Sequence, residues 1–410
     1  MFYYIDPGTG SMLFTILIGV LSAGVYAIRN VFIKLRFSLS GGKADVSQND
    51  KIPFVIFSDD KRYCTVFEPI CDEFEKREIP ITYMTASEDD PLLNKEYKYI
   101  TTQFIGDGNK AFAKLNMLKA DIVLSTTPGL DVYQWKRSRD VKYYVHIFHT
   151  VNDVLLYKMF GTDYYDALLL SGDYQIEQIR QLESKRDIKP KELLVVGQPF
   201  MDTLINRKEQ ETIKKQNSPQ ENSKRTTVLL APSWGESGIL RKYGDSLIDE
   251  LIATGYEIII RPHPQSYKSE ADLMEKLQNK YSDLEWNRDT DNFDVLNRAD
   301  ILISDFSGVF FDFSLVFDKP IIYTDIGDFD RGPYDAYWYD GDLWTFTTIK
   351  KLGLQLEAGK VKETIDECLT NNEYKENRQK AREESWANIG HSAELTADYL
   401  IKKHEELTNE

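Results

Sequence analysis

Short, continuously apolar runs alternate with longer stretches of helical spacing along most of this chain. The runs are Pro53–Ser58, Ile81–Thr85, Tyr99–Phe104, Asp121–Ser125, Tyr143–Phe148, Ala167–Ser171 and Leu193–Val196. Many are β-branched or aromatic and lack in/out alternation, the pattern of strands covered on both faces. Strand, helix, strand in repeated order implies parallel pairing with helical crossovers. A second series follows at Thr227–Leu230, Glu257–Arg261, Ile301–Ser304 and Lys319–Tyr323. Between the two, Asn206–Arg225 is almost wholly polar and reads as a domain boundary. From about Val361 the pattern is that of charged helices, interrupted at Gly390-His391-Ser392, with Ser392 as an N-cap. The expected fold is α/β: residues 50–205 and 226–360 each form an open parallel sheet, and helices over 361–410 pack across both. Such sheets bind ligands at the carboxyl ends of their strands, so the cleft between them is the expected site.

The first forty residues differ. Ser11–Ile28 carries no charge and, as a helix, spans about 27 Å, close to a bilayer core. Arg29, Lys34 and Arg36 follow it, whereas only Asp6 precedes it. This predicts a membrane anchor within residues 1–40 that leaves the rest of the chain in the cytoplasm. A buried hairpin or core helix is the alternative.

Composition narrows the chemistry. The 410 residues carry a formal net charge of −16, which disfavours general nucleic-acid binding. Three cysteines (Cys64, Cys71 and Cys368) form no CxxC and suit a reducing compartment. None of the five histidines has a metal-ligand spacing, so no metal is expected. No GxGxxG follows a strand, and no P-loop or GxSxG elbow occurs, so neither a nicotinamide cofactor nor a hydrolase triad is indicated.

Three constellations carry candidate chemistry. In Ile301–Phe313 (ILISDFSGVFFDF) a strand runs into Ser304-Asp305, then Ser307-Gly308, then a helix. Gly308 permits close backbone approach, and the Ser307 hydroxyl with free N–H groups can hold a phosphate. The same turn can also be capped by Ser and Asp with no ligand. In Ile258–Pro264 (IIIRPHP) two prolines stiffen a loop that presents Arg261 and His263 at a strand's end, where arginine suits phosphate and histidine can donate a proton. A rigid loop with a surface histidine fits the same residues. In Tyr143–Lys158, His149 stands where a strand gives way to the next helix, placed as a general base, whereas His146 lies within the strand and reads as a core histidine. Two loops are weaker candidates. Ala231–Gly238 (APSWGESG), with Ser233 and Trp234, is placed to line the cleft, and Val196–Asp202 (VGQPFMD) reads as a turn.

Together these motifs resemble the CDP-glycerol glycerophosphotransferase family, the teichoic-acid primases and polymerases. A histidine after a first-domain strand, RPHP, SDFSGVFFDF and the closing GHSAE…DYL occur in the family's order, over most of Tyr143–Ile401. The resemblance implies a GT-B-like architecture of two facing Rossmann-like domains, a metal-independent site and no cofactor beyond the donor. It implies transfer of glycerol phosphate from CDP-glycerol to a lipid-linked or polymeric acceptor at the inner membrane leaflet. It makes His149 the acceptor base and His263 the second catalytic histidine. It matches Arg261 and Ser307 to the donor phosphates, and with Ser233, Asp305 and Gly308 from the same loops they make up the expected donor-binding set. The chain departs from the family where His149-Thr150-Val151-Asn152-Asp153-Val154 replaces His-Gly-Thr-Pro-Leu-Lys, and where Gly308 replaces a serine. A glycosyltransferase using a UDP- or CMP-sugar, or a silent nucleotide-sugar-binding scaffold, are the rival readings.

Overall fold

The computed structural model describes residues 51–216, 225–289, 291–305, 307–324 and 329–409. The apolar run Ser11–Ile28 lies outside them, and among the described residues no helix is long and apolar enough to cross a membrane. The first sheet contains β1 (Ile52–Ser58), β2 (Ile81–Thr85), β3 (Ile100–Phe104), β4 (Ala120–Ser125), β5 (Val141–Ile147), β6 (Ala167–Leu170) and β7 (Glu192–Val195). The second contains β8 (Thr227–Ala231), β9 (Glu257–Ile260), β10 (Glu285–Trp286), β11 (Ile301–Ser304), β12 (Ile321–Tyr323) and β13 (Gly353–Gln355). Their orders are β3-β2-β1-β4-β5-β6-β7 and β10-β9-β8-β11-β12-β13, and every ladder in both is parallel.

Continuous apolarity places core on both faces. Along β1, Phe54 and Ile56 enter one cluster while Val55 and Phe57 enter another. Along β8, Val228 and Leu230 face one cluster and Leu229 and Ala231 the opposite one. Each such Leu, Ile or Phe contributes about 1.5–3 kcal/mol by burial. Strands β10 and β13 were not legible in the sequence, because Glu285-Trp286 and Gly353–Gln355 each hold one large apolar residue and form no apolar run.

Three local expectations need correction. Asn206–Gln216 is not linker but the second half of a helix, Pro199–Gln216, since its Lys, Glu and Gln residues are good helix formers. Pro199–Asp202 is the first turn of that helix and not part of a loop. Ser392 opens the last helix, Ser392–Asn409, but its hydroxyl donates to Asp202 rather than capping the helix.

That last bond belongs to a set of buried carboxylates that tie distant segments to the first sheet. Asp202 accepts from Trp386 Nε1 at 2.9 Å, from the Ser392 N–H at 3.0 Å and from the Ser392 hydroxyl at 2.5 Å. Asp153 accepts from the Trp344 and Thr345 N–H groups at 2.9 and 2.6 Å. Asp335 accepts from the Phe160 N–H at 2.7 Å and from Arg186. Ala336 and Leu343 accordingly share a core with the first sheet, although they lie between β12 and β13 in sequence. Gly197 adopts φ +96°, and a Cβ there would meet the Ala387 carbonyl, so the returning chain passes close over it.

Candidate active site

In both sheets the strand order reverses beside a central strand, between β1 and β4 and between β8 and β11. Loops diverge at such points and leave a crevice at the strands' carboxyl ends. A cleft of about 420 Å³ opens there, lined from the first unit by Arg62, Tyr63, His149, Thr150 and Asn152, and from the second by Arg261, Gly308, Val309 and Asp312. Two motifs far apart in sequence, those of His149 and Arg261, thus face one cavity.

His149 follows β5 in a loop that runs to a single short turn at Val154–Leu156, not to a long helix. Its Nδ1 lies 3.1 Å from Thr126 Oγ1 and 3.5 Å from the Tyr157 hydroxyl, and its ring lies 4.8 Å from that of Tyr63. Its Nε2 has no hydrogen-bond partner among the described residues. Burial, and then the charge of Arg62, push its imidazole down to about 4, so it is neutral near pH 7. His146 is fully buried in β5, with Nε2 3.3 Å from the Tyr157 hydroxyl. Burial, then His149, push it down to about 3. It touches the site only through Tyr157.

His263 is half-buried, two residues after the cleft-lining Arg261. Its backbone N–H donates to Pro232 O at 3.1 Å, and its Nδ1 accepts from the Gln265 N–H at 3.1 Å. Accepting at Nδ1 leaves the proton of the neutral ring on Nε2, as a donor. Burial and then Arg62 hold its imidazole below the ordinary value, with Asp305 pulling the other way. Arg62 therefore acts on both histidines. Arg261 bonds to the Asn287 side chain.

Asp305 is committed to shaping its neighbourhood. It accepts from the Ser233 N–H at 2.9 and 3.0 Å, from the Ser233 hydroxyl and from the Ile239 N–H at 2.9 Å. The loop after β8 is thereby held to the turn after β11. Ser307 Oγ accepts weakly from the Val309 N–H at 3.4 Å. Gly308 has an ordinary φ of −59°, and a Cβ there would meet Thr150 and Asn152 at 3.9–4.0 Å, an ordinary contact. The backbone therefore does not require glycine, and a serine fits. Trp234 is 51% exposed, and His391 of the closing motif pairs with Glu394 at 3.0 Å on the surface.

Four residues escaped the sequence reading. Arg62 and Tyr63 lie in the short turn after β1, where Asp59-Asp60-Lys61-Arg62 balances two acids against two bases and gave no signal. Thr126 follows β4 with no motif to mark it. Asp312 falls one turn after Gly308, on the same helix face, and burial raises its carboxyl to about 7. Cys64 also lines the cleft, but burial pushes its thiol up to about 12, which leaves it protonated and inert.

Residues 114–339, more than half of the chain, match the family described as CDP-Glycerol:Poly(glycerophosphate) glycerophosphotransferase. No curated protein matches the sequence. Among solved structures, a variant of the wall teichoic acid polymerase TagF soaked with CDPG is similar over 96% of this chain and 99% of its own, at 16% identity and a TM-score of 0.60. TagF itself gives the same coverage and identity, with a TM-score of 0.59. UDP-GlcNAc 2-epimerase from Neisseria meningitidis, bound to UDP-GlcNAc, is similar over 86% of this chain and 100% of its own, at 15% identity and a TM-score of 0.53. At these identities the structural likeness speaks for the fold, two facing parallel sheets of GT-B-like type.

Proposed function

The chain belongs to the CDP-glycerol:poly(glycerophosphate) glycerophosphotransferase family, and from that premise we propose that its cleft transfers glycerol phosphate from CDP-glycerol to a hydroxyl of a lipid-linked or polymeric acceptor. The observation that carries this reading is that His149 of the first unit and Arg261 of the second line one cavity.

The acceptor hydroxyl attacks the phosphorus that bears glycerol. A new P–O bond forms, the bond to the bridging oxygen breaks, and CMP leaves with the electron pair. His149 takes the hydroxyl proton on Nε2. That role requires the tautomer in which Nδ1–H donates to the Thr126 hydroxyl. Arg261 and the N–H groups around Ser307 and Gly308 hold the diphosphate, His263 Nε2–H donates to it, and Arg62 adds charge from the opposite wall. Fixed donors in a closed cleft stabilise developing phosphate charge without reorganising, and holding both substrates between two units supplies the alignment. The uncharged run Ser11–Ile28 with its basic flank supports attachment to the inner membrane leaflet, facing the cytoplasm, in synthesis of a teichoic-acid-like polymer or capsule.

Purified protein given CDP-glycerol, UDP-sugars and CMP-sugars in parallel should release CMP from CDP-glycerol, faster with acceptor present. Turnover of a sugar nucleotide in its place overturns the reading.

Asp312 should make donor binding depend on pH. Its carboxyl, raised to about 7, gains negative charge as pH climbs through that value, beside the site of a diphosphate. CDP-glycerol affinity should fall by about three- to tenfold between pH 6 and 8.5, and Asp312→Asn should flatten the curve. An unchanged slope in that variant counts against placing the diphosphate near Asp312.

A further inference from the structure

The helical segment that carries Val309 and Asp312 into the cleft has a second face. There, between its π-helical turn Asp312–Val316 and the helix Glu373–Ser385, lies a separate cavity of about 340 Å³. Ser314, Asp318, Lys375, Arg378, Arg382 and Glu383 line it. We propose that this cavity is a binding site for a phosphate-type oxyanion, distinct from the donor cleft.

Three observations meet here. The first is an excess of donors. Arg378 is only 7% exposed, and its Nε donates to Asp318 Oδ1 at 2.8 Å. Its remaining guanidinium N–H groups have no acceptor among the described residues. These N–H groups are not sealed in the core but open onto the cavity, where they are donors on offer to a ligand. The second is Ser314, which is 1% exposed and whose hydroxyl has no partner. A serine within a helix commonly bonds back to the carbonyl one turn earlier, and in this widened turn it does not. The third is charge. Arg382 lies 5.0 Å over the Trp386 ring with no carboxylate partner among the described residues, and Lys375 has none either. Of the two carboxylates present, Asp318 is engaged by Arg378, and Glu383 accepts from the Gln379 amide at 3.1 Å. In a chain of net charge −16, the unmatched charge at this cavity is therefore positive.

Two guanidinium groups, an ammonium and a hydroxyl supply donors from several directions. A tetrahedral phosphate offers acceptors in as many, whereas a planar carboxylate does not. The ligand class is therefore a phosphate or phosphate ester. An ester of a small polyol and the headgroup of an anionic lipid share this chemistry.

The test titrates inorganic phosphate and glycerol 3-phosphate into the full chain by calorimetry at constant ionic strength. Wild type is compared with Arg382→Gln, Ser314→Ala and the cleft variant Arg261→Ala. Arg382→Gln should weaken phosphate binding by at least about tenfold, the loss expected of one charge-assisted bond. Ser314→Ala should weaken it by less, and Arg261→Ala should leave this component in place. Phosphate binding that survives Arg382→Gln and disappears in Arg261→Ala overturns the proposal, because the cleft is then the only site. Vesicles containing phosphatidylglycerol identify the source. Loss of vesicle binding in Arg382→Gln assigns a lipid headgroup, and unchanged vesicle binding with loss of glycerol 3-phosphate assigns a soluble ester. Either supports the site.

Discussion

His149→Ala should lower turnover by roughly 10²–10⁴-fold, the usual cost of a lost general base, while CDP-glycerol affinity stays within about twofold. The split follows from where the contacts come from. The groups proposed to hold the donor directly, Arg261, His263 and the turn at Ser307, belong to the second sheet, whereas His149, like the more remote charge of Arg62, comes from the first. Its imidazole is already neutral at pH 7, so no proton must first be lost before it can act. Thr126→Val should give a smaller loss, about tenfold, because it removes the partner that fixes the tautomer but leaves the imidazole in place. His146→Ala should act differently, lowering stability with little change in turnover per folded molecule, since that side chain is enclosed in the core. Acceptor-dependent CMP release, measured beside calorimetric donor affinity, separates these outcomes. Full activity in His149→Ala would end the mechanism.

Asp202→Ala should destabilise the protein by about 3–5 kcal/mol, because three buried donors lose their acceptor at once and each orphan costs about 1–3 kcal/mol before relaxation. Trp386 Nε1, the Ser392 N–H and the Ser392 hydroxyl all end on this one carboxylate. The residues it joins lie on opposite sides of the sequence, at the start of the helix Pro199–Gln216 and at the start of Ser392–Asn409. Its loss should free the last helix from the first sheet, where Ala397 and Leu400 are packed. The thermal midpoint should drop by about 4–6 °C. Protease sensitivity should rise first near Ile389–Gly390. A midpoint equal to wild type would show that the carboxylate is not the clasp we describe.

Much of this was legible in the residues. Eleven strands were placed within two residues of their ends, because apolar runs bounded by polar turns mark strands buried on both faces. RPHP and SDFSGV mark strand-end loops for the same reason, since prolines, glycine and hydroxyl residues interrupt an apolar run only where the chain must turn. What stayed hidden depends on partners distant in sequence. Arg62 and Asp312 came to line one cleft, and Thr126 came to hold His149, only when two loops and a helix from three separate segments met.

The sequence by itself determined the class of fold, the two sheets and the positions at which reactive side chains leave them, because each follows from local periodicity and turn chemistry. Only the tertiary structure decided how those positions combine. It turned a polar stretch into a helix that packs across both sheets, and it made Asp153, Asp202 and Asp335 into buried clasps. It also assigned Asp305 to the support of a loop. The physical reason is that a carboxylate's role depends on which donors surround it and how far water is excluded. Those are properties of the packed chain, and no local pattern encodes them.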